Sequence, residues 1–287
     1  MSYQHIQVDT AVGPVGAIVR GADLSKPLDD AVREEIRDAW HTHHVLFFRN
    51  QSLAPADQAA FAAHFGDLDV YPFMKAVDQH PNVIPIIKEP DAKVNFGGGW
   101  HTDTSYLERP PAATVLYAVE VPDEGGDTLF ADATAAYEDL SPGLRRMLDG
   151  VVGIYSPKIV HGKDGAYAKL KASSPDLGPA YGGNEAFAES EVEHPLIRTH
   201  PATGKKSIYC GRAHTHRIKD MTREESMPII TFLNEHLTQE KYVTRFKWEP
   251  GTLAMWDNRS VFHYAMNDYD GKRRHMHRVI VQGELPI

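Results

Sequence analysis

The chain has 287 residues, 42% hydrophobic, 9% aromatic and 24% charged, enough apolar material to bury a substantial core. A net charge of −9 argues against a nucleic-acid partner, which would show as a basic patch, but it leaves room for a locally basic pocket that takes a small anion. The single cysteine, Cys210, excludes an intramolecular disulfide; with no apolar stretch near the roughly 18 residues of a membrane span and no signal-peptide pattern in MSYQHIQVDT, a cytoplasmic protein is expected.

In chain order, residues 7–25 mix short apolar runs with glycines, which predicts short strands joined by turns. Residues 28–44 carry Leu28, Val32, Ile36 and Trp40 at helical spacing. VLFFRNQ (45–51) reads as a buried strand, and APADQAAFAAHFG (54–66) as a second helix with Gly66 suited to its C-cap. From Asp67 to Trp100 the chain is rich in Pro and Gly and is expected to be irregular. AATVLYAVEVP (112–122) and TLFAD (128–132) predict strands on either side of a turn at 123–126.

LSPGLRRMLDG is a helix signature, with Ser141 as N-cap, Pro142 in the first turn and Gly150 past the end. Residues 156–192 are polar and without period, the mark of a long lid insertion or of a disordered segment. KKSIYC predicts a strand, and residues 221–239 a helix opened by a capping box of Thr222 and Glu225. The last third alternates strand-like runs with the turns EPG and YDG. With no repeat and no linker, one α+β domain over 1–287 is expected, a β-rich core with helices outside.

Sixteen histidines locate nothing by number, but spacing singles out three residues. In GGGWHTDTS, His101 and Asp103 are two apart, so on a strand they would share a face. His263, in WDNRSVFHYA, is the best third ligand, in a strand-like run after a Trp-Asp-Asn turn. Two histidines and a carboxylate leave open positions on a metal, as Fe(II) oxygenases require. The same donors also suit a zinc hydrolase. Downstream, Arg274 and Arg278 would share one face of a strand in RRHMHRVIVQG and form an anion-binding wall.

Together these motifs resemble the taurine dioxygenase/2,4-dichlorophenoxyacetate dioxygenase (TauD/TfdA) family of Fe(II)- and 2-oxoglutarate-dependent oxygenases. The resemblance runs through WHTDTS (100–105), PPAATVLYAVEVPDEGGDTLFAD (110–132), HPLIRTHPATGKKSIYC (194–210), WDNRSVFHYA (256–265) and RRHMHR (273–278). It implies a double-stranded β-helix (jelly-roll) core with surrounding helices, often assembled as a dimer or tetramer. It implies that His101, Asp103 and His263 hold Fe(II), and that Thr128 and Arg274 bind the far carboxylate of 2-oxoglutarate. Arg278 matches an arginine near the iron that holds the substrate's anionic group, and no catalytic side chain beyond the metal ligands is implied. The reaction would use O2, release succinate and CO2, and hydroxylate a small organic anion: an aryloxyalkanoate, sulfonate, alkyl sulfate or carboxylate.

The chain departs from the taurine enzymes at Leu68, where they carry a sulfonate-binding histidine, and at Gly97, where they carry an asparagine. Tyr71, His214 and Asn95 are the remaining candidates for the substrate pocket. The competing readings are a zinc-dependent hydrolase and a cupin-like metal-binding protein without turnover. Neither has a use for Thr128 and the two arginines.

Overall fold

Alternate side chains of Val45–Phe48 belong to two different cores: Val45 and Phe47 point one way, Leu46 and Phe48 the other, and all four are fully buried. A strand apolar on both faces must be covered on both, and that requirement organises the molecule. The computed structural model describes residues 3–70, 75–162, 165 and 185–287.

The strands are β1 (Gln7–Asp9), β2 (Ala17–Arg20), β3 (Val45–Phe48), β4 (Ile84–Lys88), β5 (Ala113–Glu120), β6 (Thr128–Asp132), β7 (Val152–Tyr155), β8 (Val192–Pro195), β9 (Ile197–Thr199), β10 (Lys206–Ile208), β11 (Thr215–Ile218), β12 (Val243–Phe246), β13 (Leu253–Asp257), β14 (Val261–Ala265) and β15 (Arg274–Val281). Seven form a sheet in the order β1-β2-β3-β13-β5-β15-β4, antiparallel except where β2 meets β3. A second sheet runs β12-β6-β14. Two further sheets, β11-β7-β8 and β10-β9, complete the described pairing.

The two main sheets share a core. Phe47 of β3 stacks on Phe246 of β12 with ring centroids 3.6 Å apart, and Phe130 of β6 meets Phe47 and Trp256 edge-on at 5.6 Å each. Ile86, Leu116, Met276 and Ile280 join them from the large sheet. The large sheet's other face is covered by the helices Asp30–His43 and Pro55–Ala63, through Ile36, Trp40 and Phe61. Leu28 and Val32 pack at the margin of that core, so the predicted helical stripe is the buried one. The helix Arg223–Leu237 covers the outer face of the small sheet, and the expected capping box is formed: Glu225 N donates to Thr222 Oγ1 at 3.2 Å and Thr222 N to Glu225 Oε2 at 2.8 Å. The α+β class is therefore observed.

Three expectations need correcting. Ile84–Lys88 is a strand although its surroundings are irregular; Pro85 is tolerated because β4 lies at the sheet edge, where a missing N–H breaks no ladder. The second helix ends at His64 in right-handed geometry, not at Gly66. Gly66 serves a close approach instead, since a Cβ there would lie 2.8 Å from Val281 Cγ1. The short helix Ala133–Glu138 was not foreseen; it starts where the Asp132 carboxylate accepts from the N–H groups of Thr134 and Ala135.

Of the expected lid insertion, the described parts hold the short helices Lys158–His161 and Glu185–Ala188, and the remainder lies outside the described residues. No helix among the described residues is long and apolar enough to cross a membrane. Because Phe47 ties the two sheets together, Phe47→Ala is expected to lower stability by about 3–5 kcal/mol. Urea titration should show an earlier midpoint with an unchanged slope.

Candidate metal centre and co-substrate cavity

His101 and His263 meet through a single antiparallel bridge: His101 N donates to His263 O at 3.1 Å, and His263 N to His101 O at 2.8 Å. This sets the two imidazoles side by side, ring centroids 4.2 Å apart. His263 lies on β14 as expected, facing inward over Trp256 at 4.7 Å. The strand expected for His101 and Asp103 is not there. His101 is an isolated bridge and the chain turns immediately after it, with Thr104 at φ 40°. Asp103 reaches the histidines through that turn, not through strand alternation.

Asn258 pins the turn. Thr102 Oγ1 donates to Asn258 O at 2.7 Å, and Asp103 N to Asn258 Oδ1 at 3.4 Å. Asn258 Nδ2 donates to Thr114 Oγ1 at 2.9 Å, which commits the threonine's own proton to Asp103 Oδ2 at 2.6 Å. Trp256 Nε1 completes the set on Asn258 Oδ1 at 3.0 Å. One carboxylate oxygen is thereby engaged, and Asp103 Oδ1 is turned to the histidines, 3.8 Å from His101 Nε2 and 3.9 Å from His263 Nε2.

These distances fit a shared ion: two atoms each about 2.1 Å from one metal can be at most about 4.2 Å apart. The three residues offer donor atoms that all lie within 4.8 Å of one another, so a small closure of the two rings suffices. Protonation agrees with this use. His101 Nδ1 lies 2.7 Å from Gly99 O, an acceptor only, so Nδ1 carries a hydrogen and Nε2 is the ring nitrogen turned to the cluster. Burial brings the His263 pKa down to about 3. Burial pushes the Asp103 carboxyl up, but His263, Arg278, His101 and the Thr114 hydrogen bond outweigh it and bring it down to about 2. At neutral pH Asp103 is ionised and His263 neutral, the states a cation requires.

A cavity opens beside this cluster between the two main sheets. Its wall includes Ile86, Phe96, Leu116 and Trp256 as apolar members and Thr128, Arg274 and Arg278 as polar ones. Arg274 and Arg278 share the inner face of β15, as expected from their spacing. Arg274 is 5% exposed, and among the described residues its Nε and Nη2 meet no acceptor. Trp248 lies under its guanidinium at 5.8 Å and donates from Nε1 to Thr128 Oγ1 at 2.9 Å. The Thr128 hydroxyl is thus left with a proton to give. Arg278 stands nearer the cluster, its Nη1 3.6 Å from Asp103 Oδ1 and its guanidinium 5.1 Å from the Phe96 ring. Gly97 is also in the wall; a Cβ there would lie 3.3 Å from His101 Cε1.

The remaining expected pocket residues fall elsewhere. His214 is buried beside the cluster, its ring 6.4 Å from that of His101 and its Nδ1 2.9 Å from Ser105 Oγ, but it is not part of the cavity wall. Asn95 uses its amide to hold the carbonyls of Ala265 and Met266 at 2.9 and 3.0 Å, also outside the wall. Tyr71 lies outside the described residues. Reasoning from sequence missed Thr114, Asn258 and Trp248. Asn258 stood inside the noted Trp-Asp-Asn turn; nothing in the local sequence distinguishes the other two.

A buried two-histidine, one-carboxylate cluster beside a basic-ended cavity is the arrangement that a mononuclear metal protein of the oxygenase type requires. Comparison with known proteins gives the family: over residues 7–280 the chain matches the taurine catabolism dioxygenase TauD, TfdA family, and it belongs to that family. It is 34% identical over 287 residues to an α-ketoglutarate-dependent sulfate ester dioxygenase of Pseudomonas putida, covering 98% of this chain and 91% of the other. A taurine dioxygenase structure from Burkholderia xenovorans superposes with a TM-score of 0.81 at 33% identity, covering 99% and 93% of the two chains. The structure of AAD-2 in complex with Mn(II) and N-oxalylglycine gives 0.75 at 29% identity, with 99% of each covered. The chain is accordingly an oxidoreductase, a dioxygenase dependent on Fe(II) and α-ketoglutarate (2-oxoglutarate).

Replacing Thr114 by Val keeps shape but removes the hydrogen bond that turns Asp103. Thr114→Val is expected to weaken Mn(II) binding by about 10–100-fold, read by titration calorimetry.

Proposed function

We propose that His101, Asp103 and His263 hold the iron, that Thr128 and Arg274 bind the far carboxylate of 2-oxoglutarate, and that Arg278 faces a small monoanionic organic substrate which the enzyme hydroxylates. The observation that carries the substrate class is the charge of the cavity. Among the groups that line the cavity, two guanidinium groups and a divalent ion against the single carboxylate of Asp103 would leave three positive charges. 2-Oxoglutarate brings two negative charges, and one positive charge remains for the substrate to match. A neutral substrate would leave that charge buried and uncompensated, which is costly.

When bound, iron supplies the activation of O2 that couples decarboxylation of 2-oxoglutarate, to succinate and CO2, with hydroxylation of the substrate. The chain's own part is positioning. Thr128 donates its free proton to the far carboxylate, and Arg274 supplies the unmatched N–H groups beside it. Ile86, Phe96, Leu116 and Trp256 keep water from the cavity, which strengthens each of these charge contacts. The paired main sheets support reading the core as a double-stranded β-helix, with residues 1–287 as one domain around it. The named activities of relatives on sulfate esters and 2,4-dichlorophenoxyacetate support an anion.

The test is succinate formation by the Fe(II)-loaded enzyme with 2-oxoglutarate, O2 and a panel of alkyl sulfates, sulfonates, aryloxyalkanoates and carboxylates. One class should raise succinate sharply, and Arg278→Ala should raise KM for that anion by about tenfold or more. An unchanged KM in the variant, or equal stimulation by neutral analogues, contradicts the assignment of Arg278.

A further inference from the structure

Lys88 ends β4 directly opposite Arg274 of β15, so the two side chains leave the same face of the sheet from neighbouring positions. Both are buried, Lys88 at 4% exposure. Placing an ammonium beside a guanidinium away from water is unfavourable twice, through lost hydration and through repulsion. Among the described residues Lys88 Nζ makes no hydrogen bond. It sits 4.1 Å from the centroid of the Tyr269 ring and 3.8 Å from the Asp270 carboxylate.

Asp270 does little to neutralise it, because that side chain is 81% exposed and screened by water. The other nearby carboxylates are taken: Arg245 binds Asp127 at 2.6 Å and Asp268 at 3.3 Å. Tyr269 and Arg274 pack beside the same glycine: Tyr269 Cδ1 lies 3.3 Å, and Arg274 Cδ 3.4 Å, from the point where a Cβ on Gly126 would stand. Lys88 and the Tyr269 ring thus lie behind the Arg274 end of the cavity, outside its wall.

We propose that Lys88 is a positioning residue that sets co-substrate specificity: from behind Tyr269 it adds a second buried positive charge at the Arg274 end, so that this end requires a 2-oxo acid bearing a second carboxylate. Lys88 does not line the cavity; it acts by holding Tyr269 against Arg274 and through its field. The inference rests on the reading that Arg274 receives the far carboxylate of 2-oxoglutarate.

The test uses the full chain loaded with Mn(II) and follows the fluorescence of its tryptophans, of which Trp248 adjoins Arg274. 2-Oxoglutarate is compared with 2-oxopentanoate, which has the same chain length but no second carboxylate. Lys88→Met should weaken 2-oxoglutarate about tenfold while 2-oxopentanoate stays within about twofold of wild type. Lys88→Gln should behave alike and serves if the methionine variant does not fold. Equal loss for both ligands, or loss for neither, overturns the role of Lys88 while leaving Arg274 untouched. A wild-type protein that binds the two ligands equally overturns the reading of Arg274 and the inference with it.

Discussion

The site depends on one buried carboxylate. Asp103 is 4% exposed and stays ionised because every direction around it is answered: Thr114 donates to one oxygen, and the other faces two imidazoles and Arg278. Such a charge is tolerable only with a complete set of partners. A metal ion would replace the weaker of these contacts with stronger ones. The chain Trp256–Asn258–Thr114–Asp103 fixes which oxygen faces the histidines, so residues that would not themselves touch an ion decide which oxygen would be offered to it.

The fold delivers these groups by alternation. Strands β5, β13, β15 and β3 carry apolar residues on both faces, one against the helices and one against the small sheet. Where the inner face nears the cavity, polar groups replace apolar ones at the same period: Arg274 and Arg278 on β15, His263 on β14, Thr128 on β6. The core that holds the sheets together thus also holds the two ends of the cavity at a fixed separation, with His101, Asp103 and His263 at one end and Thr128 and Arg274, the proposed carboxylate clamp, at the other.

Much of this was legible in the sequence, and unevenly so. The stripe of Ile36 and Trp40, the capping box of Thr222 and Glu225, and the shared face of Arg274 and Arg278 follow from local periodicity, and all are present. His101, Asp103 and His263 were singled out by residue type and spacing, and the fold brings them together, but the strand invoked for the first two is absent. A tertiary anchor at Asn258, 155 residues from Asp103, shapes that turn, and no local pattern encodes it. Thr114 and Trp248 were invisible for the same reason. Each acts through a partner far along the chain. Strand β4, and with it Lys88, was hidden among prolines and glycines whose usual meaning is irregular backbone.

The most direct test of the account is the stoichiometry of metal binding. Titration of the wild-type protein with Mn(II) under anaerobic conditions, followed by electron paramagnetic resonance, should give one tight site per chain whose spectrum changes when 2-oxoglutarate is added. His263→Ala, which removes a donor from the small sheet alone, should abolish that tight site. Retention of one tight, 2-oxoglutarate-sensitive ion by this variant would mean that the centre is not where His101, Asp103 and His263 converge.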